Sequence, residues 1–467
     1  MKATMTCIAR VVAPGIPHRR IFPGGDGTVR FLALVTALLA LGLLVASCNE
    51  EDSALVAILW GEPVLIGPLG GDAADPQIAI DEDGNAIVVW EQDGEIWANR
   101  YEPATGWGAP ERIESGSPDA RKPQIAILAS GEAIAVWDQP TGAYPSIWSN
   151  RYVPGGGWGT AELLETDDTW YAIEPDISAA GNSAIAVWFQ DTGSPFSIFA
   201  NRYVAGAGWE GAELIGTDST GYMFSPQVGM AANGRAIAVW NQDDGPRFNV
   251  WANQYVPGVG WGTGAPIEDL PEDALWPAIA ADPSGNGLAI WTRQGPPFEV
   301  IQNVWTNYYD ASMGWGAAHG LTDVFNAFNP RVGADDSGNA LAIWNQIGQG
   351  DYRIYANRYL GGIGWGASVI INSGHMTSQP QIAVNKAGDA LAVWAQDPIC
   401  CLDTIFAKLA VSRYRAGQRW DRSKLPAPSQ GEGVWAPQAA LNANGDAIVV
   451  WAEWDGTQHY IMASHSE

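Results

Sequence analysis

Two of the five histidines, His375 and His459, fall in segments that also hold Asp455 and the adjacent pair Cys400–Cys401, with Asp403 close by. Imidazole, carboxylate and thiolate groups are the ligands that zinc and copper take. His375, His459 and Asp455 are therefore the candidate metal ligands. Cys400 and Cys401 are either two thiols or an adjacent-residue disulfide in an oxidising compartment. A second chemistry is stacking on aromatic rings. One set, Tyr171, Phe224, Trp276, Phe328 and Trp435, recurs just before an alternating apolar phrase. A second set, Tyr144, Phe196, Phe248, Phe298 and Tyr352, recurs in later loops. These are either platforms for sugar rings or caps on the apolar core beneath them. No HExxH, CxxC, GxSxG or phosphate-cradling glycine loop is present. Glycoside chemistry needs two carboxylates facing across one cleft, and the many acidic residues leave that pair unchosen.

The chain has 51 acidic and 24 basic residues among 467. Residues 1–47 hold five of the basic and one of the acidic ones, so the remainder is the more acidic part. Such a surface repels phosphate backbones, and no nucleic-acid partner is expected. Sugars, cations and basic proteins are compatible with it. Four cysteines, Cys7, Cys48, Cys400 and Cys401, do not make a disulfide framework. No cofactor is required by any motif. Calcium at the acidic turn Asp81–Asn85, or a transition metal at the histidines, stays open.

These groups must be positioned by a repeat. A tryptophan closes an A-I-A-V-W phrase at Trp90, Trp137, Trp188, Trp240, Trp291, Trp344, Trp394 and Trp451, at intervals of 47 to 57 residues. Around it recur P-Q-I-A-I, A-N-R-Y and a glycine-rich turn into Gly-Trp. A period near 50 with four short strand phrases per unit predicts four-stranded antiparallel blades stacked radially, a β-propeller. The phrase Ala184–Trp188 is apolar on both faces, so it is covered on both faces. The P-Q-I-A-I strand is placed innermost, A-I-A-V-W second, A-N-R-Y third and the charged W-G strand outermost. Asp or Asn with Gly in DEDGN (81–85), DPSGN (282–286) and DDSGN (335–339) marks tight hairpins between the first two strands. The recurring Asn, Arg and Tyr of the third strand and the Gln after each strand Trp read as links between blades rather than as eight binding pockets.

Counting closes the ring. Residues 60–66 (WGEPVLI) are an outer-type strand with no blade of their own, and the eighth repeat ends on a third strand at 461–467. The all-β fold is thus predicted as an eight-bladed propeller, with the N-terminal strand completing the last blade. Its long connections must leave on one face, which is where variation and function are expected.

Arg30 precedes an apolar run, FLALVTALLALGLLVAS, that ends at Cys48. The run is short for a membrane span and suits a signal peptide. Val45–Cys48 (VASC) resembles the lipobox of bacterial lipoproteins, a resemblance that implies cleavage before Cys48 and its lipidation. Asn49, not Asp, follows Cys48, which in the Gram-negative lipoproteins that the chain resembles permits outer-membrane delivery. An uncleaved anchor is the alternative, and translation is expected to start near Val29. The division is then 1–47 signal peptide, 48–59 lipidated Cys and tether, and 60–467 propeller.

The strand, G-x-G-W turn, strand hairpin is similar to that of propeller lectins that bind fucose in bacteria. The quinoprotein and sialidase repeats differ in the spacing from turn glycine to Trp, which is six residues at Gly84–Trp90. The reading is an exported, monomeric, non-catalytic propeller that binds a glycan or a cell-envelope protein and meets the membrane through its lipid anchor alone. A glycosidase or lyase on the same scaffold is the alternative.

Overall fold

The computed structural model describes residues 60–116, 119–165, 170–193, 196–216, 221–243, 245, 247–295, 302–322, 326–348, 351–372, 375–397, 407–421 and 433–466. They form eight antiparallel blades in a ring, an eight-bladed β-propeller. Blade three shows the pattern. Its inner strand Ala172–Ala180 pairs with Ser183–Gln190, which pairs with Ser197–Val204. The outer strand is two short pieces, Gly208–Trp209 and Glu213–Leu214, rather than the single strand expected. Here the backbone is drawn inward by a side chain: Asn201 Oδ1 accepts the Gly211 N–H at 2.9 Å. In blade seven the outer position is represented, among the described residues, by a bridge between Tyr414 and Trp420.

Burial follows the two-faced second strand. Ala184, Ala186 and Trp188 pack toward blade two, against Ile134 and Val136. Ile185 and Val187 pack toward blade four, against Trp240. Each tryptophan of the repeat is thus a wedge between two blades, and all eight are buried.

The repeated polar residues tie this stack together. The indole N–H of Trp188 donates to Gln190 Oε1 at 3.0 Å, and the same bond recurs at Trp90–Gln92, Trp137–Gln139, Trp240–Gln242, Trp344–Gln346 and Trp394–Gln396. Glu453 does the same for Trp451. Trp291, followed two residues later by Arg293, is the copy whose buried indole N–H has no partner. The third-strand asparagines reach the preceding blade: Asn150 donates to the Ile113 carbonyl at 2.7 Å and Asn201 to that of Leu164 at 3.0 Å. Arg100, Arg202 and Arg358 each lie over the tyrosine of the following blade, Tyr152, Tyr255 and Tyr414. A ring needs such links whatever it binds.

Blade eight is completed from the other end of the chain. Val64 and Leu65 pair with Ala463 and Met462, and Ser464 Oγ donates to the Gly61 carbonyl at 2.7 Å.

Candidate functional site

Alternating strand direction puts the first-to-second and third-to-outer turns on one face and the longer connections on the other. On the short-turn face the Asp81 carboxylate accepts the backbone N–H groups of Asp83 and Asn85 at 3.0 and 2.8 Å, and the Asn85 amide at 2.9 Å. Asp282 and Asp335 repeat this arrangement. Those carboxylates are engaged in shaping their own turns.

The long-loop face carries a feature that the sequence pattern hides. Every inner strand contains a residue-proline pair, and at every one the ladder skips. Ala74 and Gln77 are consecutive partners of the second strand in blade one, as are Leu275 and Ala278 in blade five. The same break recurs in the other six blades. A proline inside a sheet is tolerated at such a bulge, where no ladder N–H is needed. The residue before it takes a positive φ, between 44° and 57°, at Asp75, Lys122, Glu174, Ser225, Trp276, Asn329, Gln379 and Ala436. No glycine stands at any of the eight, although a left-handed conformation costs other residues about 1–2 kcal/mol. Eight strained positions carry eight different side chains, while the adjoining prolines are all buried. Strain held at one structural position with freely varied chemistry is a mark of a binding surface.

These residues and their neighbours line the long-loop mouth of the central channel. In blades one to four, Asp75, Lys122, Glu174 and Ser225 border a cavity of about 290 Å³ with Gln77, Gln124 and Gln227 beneath them. Lys122 Nζ is 2.8 Å from Glu174 Oε1, joining two neighbours of the ring. On the far side Gln379 Oε1 accepts the Ala436 N–H at 2.8 Å. The second position after each bulged residue forms a deeper ring, mostly glutamine, interrupted by Asp176, Ala278 and Arg331. Arg331 donates from Nε to Gln381 Oε1 at 3.1 Å and from Nη1 to the Pro330 carbonyl at 3.0 Å. Asp176 is half-buried beside it. Burial pushes it up to about 7, against the Val228 N–H and the Arg331 charge.

A second variable position follows each strand tryptophan, and in two blades its side chain holds the ring from behind. Asn241 Oδ1 accepts the Trp276 N–H at 3.0 Å, and Asp138 Oδ2 accepts that of Glu174 at 3.4 Å. Blades one and two place carboxylates there. Burial, with the charges of Asp75, Asp138 and Asp119 adding and Arg121 opposing, pushes Glu91 up to about 7. Burial pushes Asp138 up to about 6, against the Glu174 N–H and the charges of Lys122 and Arg121. Two carboxyls held above their usual range thus lie close to the ring in blades one and two.

No family model matches the chain, and no curated protein matches it. A polysaccharide lyase of family 25, an ulvan lyase, is similar in structure at 11% identity, covering 86% of this chain and 95% of its own, with a TM-score of 0.48. A protein of unknown function from Dyadobacter fermentans is 12% identical over 88% of this chain and 100% of its own, with a TM-score of 0.44. The α-L-arabinofuranosidase Arb93A of Fusarium graminearum is 10% identical over 87% and 96%, with a TM-score of 0.42. Identity is low throughout.

The aromatic residues divide into two kinds. Tyr171, Phe189 and Phe196 interlock in blade three, Phe224 meets Phe248 edge-on at 5.0 Å in blade four, and Phe328 meets Tyr352 at 5.7 Å in blade six. These pairs cap their own blades. Phe224, Trp276, Phe328 and Trp435 lie within the inner strands rather than ahead of them, and Tyr144, Phe248 and Tyr352 lie within third strands rather than in loops. Trp276 and Trp435 keep open faces, at 43% and 38% exposure, and Trp276 is itself a member of the bulged ring. Phe298, Cys48, Cys400, Cys401 and Asp403 lie outside the described residues.

His459 lies between Trp454 and Trp435, with Nδ1 2.8 Å from Asp72 Oδ1. Burial raises the Asp72 carboxyl, but bonds from the His459 backbone and ring outweigh it and leave it below its usual range. Asp455 is held down to about 2 by the Thr457 hydroxyl and the N–H groups of Gln458 and Thr457. The backbone of His375 begins the inner strand of blade seven, opposite Asp397. Among the described residues no three His, Cys, Asp or Glu groups converge.

The strain at the ring is measurable. Ala436→Gly, at φ 44°, is expected to gain about 0.5–1 kcal/mol by removing a left-handed alanine. Ala440→Gly, at an extended position of the same strand, is expected to lose stability. Equal shifts of the two urea midpoints would show that the bulge stores no strain.

Proposed function

We propose that this chain is an exported lipoprotein, tethered through Cys48, whose propeller binds carbohydrate at the long-loop mouth of its channel. The observation that carries this reading is the ring of eight unlike side chains at one strained position. A sugar hydroxyl is both donor and acceptor and needs both kinds of partner. The ring supplies them in Asp75, Lys122, Glu174, Ser225, Asn329 and Gln379. Trp276 adds a half-exposed face for the C–H side of a pyranose. Delivery to the outer membrane and a monomeric state belong to the same proposal.

A glycan array probed with the intact chain tests it. Retention that is lost in Trp276→Ala and Lys122→Ala, with unchanged unfolding midpoints, is the expected result. Retention by neither the parent nor its variants would sink the reading. Failure of labelled palmitate to enter the chain, or of Cys48→Ala to block its entry, would remove the anchor.

A second reading is favoured by Glu91 and Asp138. Hydrolysis or lyase chemistry on sugars needs one carboxyl kept protonated near neutrality beside another that is ionised. Product analysis on any bound glycan separates the two. New reducing or unsaturated ends that disappear in Glu91→Gln establish catalysis, and intact recovered ligand establishes binding alone.

A further inference from the structure

Val259, Met313 and Ile363 are 82%, 86% and 84% exposed, among the most exposed large apolar residues described. They occupy one equivalent place in three consecutive blades, the residue before Gly260–Trp261, Gly314–Trp315 and Gly364–Trp365. That place is the tip of the third-to-outer-strand turn on the short-turn face. Each tip is held by its own turn bond: Val259 N–H to Val256 O at 3.0 Å, Met313 to Asp310 at 3.2 Å and Ile363 to Leu360 at 3.0 Å. Thr105, Gly156, Ala207 and Gln418 fill the corresponding place in blades one, two, three and seven. Bulky apolar tips are therefore confined to blades four, five and six.

We infer that the short-turn face lies against a lipid bilayer, with Val259, Met313 and Ile363 inserted at the boundary between headgroups and acyl chains. This rests in part on the reading of Cys48 as the lipid anchor. The described chain begins at Trp60, which bridges Ser466 on this same face, in blade eight. Residues 49–59 can span at most about 40 Å, at 3.3–3.6 Å per residue. In an eightfold ring blade four stands opposite blade eight. An anchor at one edge and apolar tips toward the other hold the face flat and turn the channel's long-loop mouth outward. The stacked pair Tyr308–Tyr359, with centroids 5.4 Å apart between blades five and six, lies on the same sector. Tyrosine favours the bilayer interface.

The chemistry selects a bilayer over a protein. Three side chains on separate turns are not a continuous patch of the roughly 800 Å² that a stable partner buries on each side. A fluid phase accepts them singly. Glu82, Asp83 and Asp336 border the channel on this face. Insertion is therefore apolar in origin: it is insensitive to salt on zwitterionic lipid, and weaker on anionic lipid, where added salt restores it.

The test uses the full lipidated chain in phosphatidylcholine vesicles. An environment-sensitive fluorophore is attached through Met313→Cys or, on the long-loop face, through Leu69→Cys, where Leu69 is 81% exposed. The labelled parent chain supplies the background from its native cysteines. The expected result is a blue shift at position 313 and a loss of about half its emission to a brominated lipid placed about 5–10 Å deep. Position 69 is expected to stay unquenched. A chain that fails to float with the vesicles overturns the anchor reading. A chain that floats with position 313 unquenched overturns the insertion and leaves the anchor standing. Quenching at 69 in place of 313 overturns the orientation. A shift at 313 that follows protein concentration without lipid quenching assigns the tips to a second copy, and also overturns it.

Discussion

Trp188→Ala is expected to lower the stability of the whole propeller by about 3–5 kcal/mol, the range for deleting a large buried aromatic residue. The ring fills the space between blades two and three, stacked on Phe199 at 6.2 Å and packed on Ile134 and Val136. Its loss opens a cavity that two rigid blades cannot close, and it leaves Gln190 Oε1 without the indole N–H that it accepts at 3.0 Å. Both effects act in one direction. Set against a total of about 5–15 kcal/mol for folded domains, the change brings the chain close to unfolding. Urea titration followed by circular dichroism measures it. Trp170→Ala is the control, because that ring is 38% exposed and lies in a loop. Equal midpoints for the two variants would mean that the repeated tryptophans are not what holds the blades together.

The second large effect is on pH. Asp138 and Asp176 are pushed up to about 6 and about 7 by burial, and Glu91 to about 7. In each the native state binds the proton more tightly than the unfolded chain, whose values are 3.8 for Asp and 4.5 for Glu. Their contribution is fully present below the unfolded values and is lost as pH rises through 6 to 7. At 1.36 kcal/mol per pH unit, Asp138 alone accounts for on the order of 3 kcal/mol between the two limits. Glu91 is more open to water and contributes less than its shift suggests. Surface carboxylates on so acidic a chain push the same way, so a variant isolates these groups better than the parent's curve does. Asp138→Asn and Asp176→Asn keep an acceptor for the Glu174 and Val228 N–H groups. Each is expected to raise the unfolding midpoint at pH 8 and to leave it unchanged at pH 4. A gain that is the same at both pH values would show that the carboxylates are not strained by ionisation.

Much of the architecture was legible because it repeats. A strand apolar on both faces can only lie between two layers, and a tryptophan returning every 50 or so residues sets the number of layers. The tight Asp and Gly turns and the unpaired strand at residues 60–66 then decide topology and closure. The recurring Gln and Asn were legible as structural for the same reason. The site was far less so. A residue before proline is biased toward extended backbone, so the inner strand looked continuous and its bulge went unread. The ring of Asp75, Lys122, Glu174 and Trp276 is visible only once that bulge turns those side chains to the channel mouth. Glu91 and Asp138 were hidden as ordinary members of a strand. What could have found them is variation inside the repeat: the residue before each proline and the one after each tryptophan change while their neighbours stay the same. The aromatic set was chosen by loop position, and only packing separates Trp276, which is open, from Phe224, which is covered.

Closure through blade eight also has a consequence in time. Val64 and Leu65 are among the first residues of the ring to leave a ribosome or an export channel, and their partners Met462 and Ala463 are among the last. Pairing over such a sequence distance is slow to nucleate. Until it happens, the strand His459–His465 shows an open edge to any other extended chain nearby. Crowding during synthesis would then act on this one seam before any other part of the ring.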